Sequence, residues 1–205
     1  MGFYAERVLP HIINRACGTA EVREQRQKVV PLATGRVLEV GMGSGLNLPF
    51  YDRDRVELVW GLEPSEGMRR KAAPAVEASD IEVRWLDLPG EQIPLDDDGV
   101  DSIVLTYTLC SIEDWRGALE QMRRVLKPGG NVFFSEHGEA PDERVRRWQR
   151  RINPVWNVVA GGCHLDRPVI ECFADTGFSV DQVDTEYRGR PKVASFTYWG
   201  VSAPR

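Results

Sequence analysis

Short apolar runs alternate along the chain with segments whose apolar residues recur every three to four positions. Five of these runs are rich in Val, Ile, Leu and Phe, and they are Val37–Val40, Val56–Leu62, Ile81–Leu86, Asp101–Thr106 and Asn131–Glu136. Such near-continuous apolar content is typical of strands that are buried on both faces of a parallel sheet. The alternation of strands and helices therefore predicts an α/β fold with a doubly wound, mostly parallel sheet.

The later part of the chain supplies helix boundaries and a closing hairpin. The spacing predicts a helix over Asp114–Leu126, with Asp114 as its N-cap, which Lys127–Gly130 (KPGG) stops and turns. Asp166-Arg167-Pro168 opens another helix, which Gly177 ends. Two further runs, Phe178–Val183 and Ala194–Val201, follow without a helix between them and predict an antiparallel hairpin, which brings the sheet to seven strands.

Composition narrows the class of protein. The 205 residues suit a single domain, and no apolar run approaches the roughly 20 residues that span a bilayer, so we expect a cytoplasmic protein without stable membrane insertion. A net charge of −5 argues against a nucleic-acid partner bound through a basic surface. The four cysteines form no CxxC pair, and the spacing of Cys163, His164 and Cys172 matches no zinc pattern, so we predict reduced thiols and no metal.

A glycine-rich turn follows the first predicted strand. Gly41, Gly43 and Gly45 alternate with other residues in LEVGMGSG, and glycine permits backbone angles and close approaches that other residues do not. In such sheets this turn lies where ligands bind, at the carboxyl ends of the strands. A dinucleotide fingerprint requires glycine or alanine where Leu46 stands, which disfavours an NAD-dependent oxidoreductase. Glu39 would repel a pyrophosphate and attract an ammonium group, so the turn favours a cationic nucleoside.

The next strand ends in GLEPS, which places Glu63 at the same edge of the sheet. A carboxylate there can accept hydrogen bonds from both hydroxyls of a ribose. The alternative is that Glu63 only caps a helix that begins near Ser65.

Five motifs occur in order between residues 36 and 136, namely LEVGMGSG, GLEPS, IPLDDDGVDSIV, YTLCSIED and RRVLKPGG. Together they resemble the class I S-adenosylmethionine-dependent methyltransferases, which implies a Rossmann-like fold, S-adenosylmethionine as cofactor and S-adenosylhomocysteine as product. A narrower resemblance, carried by LCS, FFSEH, RRWQRRINPVW and GGCHL, is to the methyltransferase-like family that includes animal thiol methyltransferases. It favours a small apolar thiol as the methyl acceptor. A phospholipid or quinone-type acceptor, and a module that binds the cofactor without catalysis, stay open as alternatives.

The resemblance also implies roles for residues of the cofactor site. The residues expected around the methionine part are Glu39, Gly41, Gly43, Ser44, Gly45, Asn47 and Thr106. Glu63 is expected at the ribose, with Pro64 and Met68 flanking the adenine. Where the wider family often has an Asp-Ala pair beside adenine, this chain has Pro89-Gly90-Glu91, so contacts from Gly90 and Glu91 are expected instead.

The acceptor side is predicted from the edge of the sheet and from one insertion. His137 follows the fifth strand and is the catalytic candidate, as a general base, as an orienter of the acceptor or as a loop histidine bonded to backbone. Cys110 follows the fourth strand and is either a pocket residue or a buried thiol.

The insertion 139–168 is the predicted substrate cap of a single methyltransferase domain over residues 1–205. Val145, Trp148 and Ile152 share a helical stripe that serves either the core or the pocket. Neighbouring arginines form a solvated face or attract an anionic substrate or membrane surface.

Further residues are expected to wall the acceptor pocket with the cap. They are Trp156, Cys163 and His164, with Tyr4 on an N-terminal helix over residues 1–30. The expected partner is a small-molecule acceptor, and the protein itself is expected to be a monomer or a homodimer.

Overall fold

A seven-stranded sheet organises the computed structural model, which describes residues 7–205. The strands are β1 (Gly35–Val40), β2 (Val56–Leu62), β3 (Glu82–Leu86), β4 (Val100–Thr106), β5 (Leu126–His137), β6 (Phe178–Tyr187) and β7 (Phe196–Pro204). Their order across the sheet is β3-β2-β1-β4-β5-β7-β6. β1 to β5 run parallel, and β7 pairs antiparallel with both β5 and β6. The predicted doubly wound sheet with a closing hairpin is confirmed.

Helices cover the sheet. They are α1 (Leu9–Cys17), α2 (Ala20–Val29), α3 (Glu66–Glu77), α4 (Trp115–Val125), α5 (Glu143–Val159) and α6 (Val169–Asp175). Where one N-terminal helix was predicted over residues 1–30, the described part contains two, α1 and α2, with Gly18 and Thr19 between them. No helix within residues 7–205 has the length and apolar character needed to cross a bilayer.

Successive residues of each central strand enter two different cores. Leu38, Ile103 and Phe134 pack on one side of the sheet with residues of α4 and α6. Val37 and Val104 pack on the other side with residues near the end of α2. Because both faces of each strand are buried, the strands read as continuous apolar runs, which is why the pattern located them.

Two strands extend furthest beyond their predicted boundaries. β5 begins at Leu126, and the KPGG segment forms an irregular extension in which Val100 pairs with Leu126 but Ser102 pairs with Asn131. The extra residues bulge out of the pairing, and Gly129 adopts a φ of +80° within the bulge. β6 continues to Tyr187, four residues beyond the predicted Val183, because its second half is mostly exposed and polar and carries no apolar signal.

Candidate active site

A cavity of about 430 Å³ opens at the carboxyl edge of the parallel strands. It is lined by the turns after β1, β2, β3 and β4, and it is bounded on the outer side by α1 and by Gly161. The turns after β2 and β3 lie on one side of β1, and the turn after β4 lies on the other. The cavity therefore has two ends, which we call the β2–β3 end and the β4–β5 end.

The glycine turn forms the floor between the two ends. Gly41, Gly43 and Gly45 have φ values of +69°, +60° and +75°, a region that other residues rarely adopt. A Cβ atom on Gly41 would lie 2.3 Å from Cγ2 of Thr108, so the turn after β4 packs directly on this backbone. Gly41 and Gly43 line the cavity, whereas Gly45 lies against Ala75 and does not. Gly45 thus serves the packing of the turn against α3.

Glu63 is buried at the β2–β3 end and organises the turn above it. One carboxylate oxygen accepts a hydrogen bond from Ser65 N at 2.8 Å, and the other accepts one from Gly43 N at 2.9 Å. Each oxygen retains a second lone pair that can accept from a ligand hydroxyl. The N-cap of α3 is Ser65, whose side chain accepts from Met68 N, so the capping role considered for Glu63 belongs to its neighbour. Burial raises the pKa of Glu63 above its usual value.

Glu39 lies beneath the cavity rather than on its wall. Its carboxylate accepts hydrogen bonds from Asn47 Nδ2 at 2.9 Å and from the Tyr51 hydroxyl at 2.7 Å. Burial raises its pKa to about 7, although both hydrogen bonds favour the charged form. Asn47 also donates to Thr106 Oγ1, and Asn47 and Thr106 both line the cavity. Asn47 Oδ1 is buried without a hydrogen-bond partner in the described structure, so it is available to a ligand donor.

The other predicted residues of the cofactor site also line the cavity. They are Ser44, Pro64, Met68, Gly90 and Glu91. Ser44 donates a hydrogen bond to Asn14, which ties the glycine turn to α1.

Arg26 and Tyr107 are two of the cavity residues that the sequence analysis did not predict. Arg26 of α2 is buried, donates to the carbonyl of Cys17 at 2.7 Å, and places its guanidinium 5.7 Å from the Tyr107 ring centre. Its Nε has no hydrogen-bond partner within the described structure. The sequence could have indicated that Arg26 faces inward, because it lies on the same helical stripe of α2 as Val22 and Val29.

Tyr107 follows β4 with a φ of +55°, which is uncommon outside glycine and is found at functional sites. Nothing in the sequence marks this backbone conformation.

His137 and Cys163 lie close to the β4–β5 end but do not line the cavity. His137 Nε2 is 3.1 Å from Cys163 Sγ, and its ring centre is 6.4 Å from that of the cavity-lining Tyr107. The Cys163 thiol is also hydrogen bonded to Cys110, and this hydrogen bond, together with burial, raises the pKa of Cys163. Cys110 is buried next to Ser111, which does line the cavity. The structure thus brings together three of the residues predicted for catalysis and substrate binding.

Glu136 fixes the turn that carries Cys110. This buried carboxylate accepts from Thr108 N at 2.8 Å and from Leu109 N at 3.1 Å. Burial raises its pKa to about 7. A polar residue inside a predicted apolar strand was the available signal for this role.

The insertion 139–168 contains α5, and this helix turns a polar stripe inward. Gln149 is buried and joins four backbone groups, accepting from Ala140 N and donating to the carbonyls of Gly138, Leu165 and Val193. Asn153 and Asn157 continue this stripe and hold the two ring nitrogens of His164. His164 is therefore an anchor of the loop after α5 and does not reach the cavity.

The large apolar residues of α5 lie mostly outside. Trp148 is 50% exposed, and Val155, Val158 and Val159 are exposed as well. Trp156 is partly exposed and donates its Nε1–H to Cys163 Sγ at 3.3 Å. Of the two predicted tryptophans, only Trp156 thus touches the residues near the β4–β5 end. The inward stripe was hidden because Gln and Asn residues are usually read as a solvated face.

The first helix closes the outer side of the cavity. Leu9, Ile13 and Cys17 of α1 line it. The predicted contact from Tyr4 lies outside the described residues.

Comparison with known proteins finds methyltransferases. Residues 38–134 match a family model described as a methyltransferase domain. Over 151 residues the chain is 34% identical to thiol S-methyltransferase TMT1B of Rattus norvegicus, covering 72% of this chain and 62% of that protein. It is 33% identical over 161 residues to thiol S-methyltransferase TMT1B of Homo sapiens, covering 75% and 65%. The matched segments thus cover less than two thirds of those relatives' own length.

A similar fold occurs among solved structures. The crystal structure of a SAM-dependent methyltransferase from Aquifex aeolicus superimposes with a TM-score of 0.67 at 19% identity, covering 94% of this chain and 97% of that one. At this identity the likeness concerns the fold.

Proposed function

Because the chain belongs to the class I S-adenosylmethionine-dependent methyltransferases, we propose that it transfers the methyl group to the thiol of a small apolar molecule. S-adenosylmethionine supplies a methyl group on a sulfonium, which is already a strong electrophile. The protein has to hold this donor, align the acceptor and exclude water.

We place the nucleoside of the donor at the β2–β3 end. The free lone pairs of the Glu63 carboxylate suit the two ribose hydroxyls, and Pro64, Met68 and the backbone of Gly90 suit the adenine. A buried carboxylate that already accepts two backbone N–H groups is held rigidly, so little ordering cost remains when a ligand binds.

We place the amino-acid part of the donor over the glycine turn. The unpartnered Asn47 Oδ1 suits the ammonium group, and the cationic Arg26 suits the carboxylate. Glu39 orients Asn47 from below instead of contacting the ligand. With both ends of the donor held, its reactive centre faces the β4–β5 end.

The observation that carries the choice of a thiol is the lining of the cavity. Of the residues in 7–205 that line it, none is a histidine or a lysine, so no strong base is in place to deprotonate an amine or a phenol. A thiol has a pKa of about 8.5 and is already partly ionised near neutral pH, so it needs little help from a base. Leu9, Ile13 and Ile112 give the cavity an apolar wall. The similarity to thiol S-methyltransferases supports the same acceptor.

The test is a methyl-transfer assay with labelled donor against thiols, phenols, amines, quinols and phospholipids of matched apolar size. We expect a labelled thioether from the thiols and little product from the other classes. Glu63→Ala serves as the control that removes donor binding, and it should reduce product from every acceptor equally. Preferred methylation of a quinol or a phospholipid would refute the thiol assignment. No product with any acceptor, in folded protein that binds the donor, would indicate a binding module.

A further inference from the structure

Three side chains with metal-binding atoms meet beside the β4–β5 end of the cavity. The ligating atoms of Cys110, His137 and Cys163 all lie within 4.8 Å of one another. They come from three separate segments, which are the short helix after β4, the end of β5 and the loop after α5. The proposed methyl transfer uses none of these side chains, so the cluster has no role so far.

The spacing suits a tetrahedral ion. Zinc bonds of about 2.3 Å to sulfur and about 2.0 Å to nitrogen place neighbouring ligand atoms about 3.5–3.8 Å apart. The Cys163 Sγ to His137 Nε2 distance is 3.1 Å, so these two atoms would have to separate by about 0.4 Å to admit the ion. Two thiolates and an imidazole are the soft and borderline ligands that zinc prefers.

The two cysteine ligands are held in place by a surrounding set of hydrogen bonds. His164 N donates to the carbonyl of Cys110 at 2.8 Å, which fixes the two cysteine-bearing loops side by side. Trp156 Nε1–H donates to Cys163 Sγ, a contact that stabilises a thiolate more than a thiol. Glu136 holds the turn that carries Cys110. Such outer contacts are typical of metal sites, where they orient the ligands.

The site leaves one coordination position open. Within the described residues, the cluster offers three ligands, whereas structural zinc sites are closed by four. Residues next to the cluster line the cavity: Ser111 follows Cys110, and the Tyr107 ring lies beside His137. An open position on this side would face the end where the acceptor is placed.

We propose that Cys110, His137 and Cys163 bind a zinc ion whose fourth position takes the sulfur of the acceptor thiol. This inference rests on the proposed function for the identity of that fourth ligand. Binding of zinc releases the thiol protons of Cys110 and Cys163 to water, and binding of the acceptor releases its own thiol proton in the same way. The acceptor thiolate then forms the new S–CH₃ bond as the bond from the methyl group to the sulfonium breaks. The electron pair of that bond returns to the sulfonium sulfur, and the neutral thioether, a poor zinc ligand, leaves.

The first test measures metal binding without activity. Reduced protein is loaded with zinc, dialysed and assayed for zinc per chain, and a cobalt-loaded sample is examined for thiolate charge-transfer and tetrahedral ligand-field bands. We expect about one ion per chain and both sets of bands. Cys110→Ala and Cys163→Ala should lose the ion, whereas Cys172→Ala, a buried cysteine of α6, should keep it. Trp156→Phe should weaken zinc affinity about tenfold.

Zinc well below one per chain in folded, reduced wild-type protein would overturn the site. So would equal zinc retention by Cys110→Ala and Cys172→Ala, since the ion would then lie elsewhere. Wild-type cobalt spectra do not depend on any variant, so a variant that fails to fold leaves the test intact.

The second test separates this inference from the proposed function. Adding an apolar thiol to the cobalt form should shift its charge-transfer band, and removal of zinc should slow thiol methylation about tenfold near neutral pH while donor binding persists. Full thiol methylation by zinc-free protein would overturn the role of the metal and leave the proposed function standing. A third outcome is that the protein holds one cobalt ion per chain, that no thiol changes its spectrum, and that no thiol is methylated. This outcome would refute the thiol acceptor in the proposed function and in this inference alike.

Discussion

The two ends of the cavity are built in different ways. The β2–β3 end and the glycine turn come from Gly41 to Met68, a short stretch in which backbone and a few polar side chains follow one another along the chain, with Gly90 and Glu91 nearby. The β4–β5 end is formed by the turn after β4 and by Gly161 after α5, and behind it the end of β5 meets the loop after α5. Contiguous segments produce motifs that can be recognised, whereas residues that meet only through folding produce none.

The glycine turn and the cap (residues 139–168) also differ in how well they should tolerate substitution. The turn depends on backbone angles that only glycine adopts easily, so a single methyl group disrupts it. The cap depends on a few inward polar contacts beneath an exposed apolar surface. The following predictions test this difference, from the largest expected effect to the smallest.

Gly41→Ala should have the largest effect. The added Cβ would lie 2.3 Å from Thr108 Cγ2 at a φ of +69°, so both a clash and backbone strain oppose folding. We expect a loss of about 4 kcal/mol in the free energy of unfolding and the loss of donor binding. Urea unfolding measures the stability, and calorimetry measures the binding of S-adenosylmethionine. Gly129→Ala is the matched control, because it has a φ of +80° but open space around it, and strain alone should cost about 1 kcal/mol. Equal losses in the two variants would contradict the packing argument.

Glu39→Gln should change the pH dependence of stability in the ligand-free protein. Burial raises the pKa of Glu39 from 4.5 to about 7, so the folded state holds a proton that the unfolded state releases. The stability that this group contributes is therefore present below pH 4.5 and is lost as pH rises through about 7. Glutamine does not titrate, so the variant does not lose this stability. Between pH 4.5 and about 7 the difference in free energy of unfolding, variant minus wild type, should therefore rise by about 3 kcal/mol. Chemical unfolding at a series of pH values measures it; parallel curves would show that Glu39 does not titrate there.

Gln149→Ala should destabilise the cap. The side chain joins four backbone groups, and its loss leaves buried donors and acceptors without partners. We expect a cost of about 2–3 kcal/mol in the free energy of unfolding. Hydrogen exchange should show faster opening of the loop after α5. The affinity for S-adenosylmethionine should change little, because Gln149 does not line the cavity. Collapse of donor binding in folded protein would mean that the cap supports the donor site.

Trp148→Ala, at the neighbouring position, should have the smallest effect. The side chain is half exposed and packs on Arg151 rather than in the core or the cavity. We expect a change of no more than about 0.5 kcal/mol in stability and an unchanged acceptor KM. Steady-state kinetics with the preferred thiol measures KM. A raised KM would show that the exposed face of α5 takes part in acceptor binding, as the helical stripe had predicted.

The sequence by itself determined the fold and the segments that form the proposed donor site. Strands buried on both faces leave continuous apolar runs, and these located the parallel strands. The glycine turn and Glu63 lie in contiguous motifs whose local geometry follows from residue type. Their positions could therefore be predicted without knowing how distant segments pack.

Only the tertiary structure decided which residues surround the proposed acceptor side. The spacing of Cys110, His137 and Cys163 matches no metal motif, because each comes from a different element and folding alone brings their atoms within 4.8 Å. The helix α5 was oriented by hydrogen bonds from Gln149 to backbone groups of distant loops, against the usual rule that apolar residues face inward. These hydrogen-bond partners are set by long-range packing, so they cannot be predicted from the neighbouring residues in the sequence.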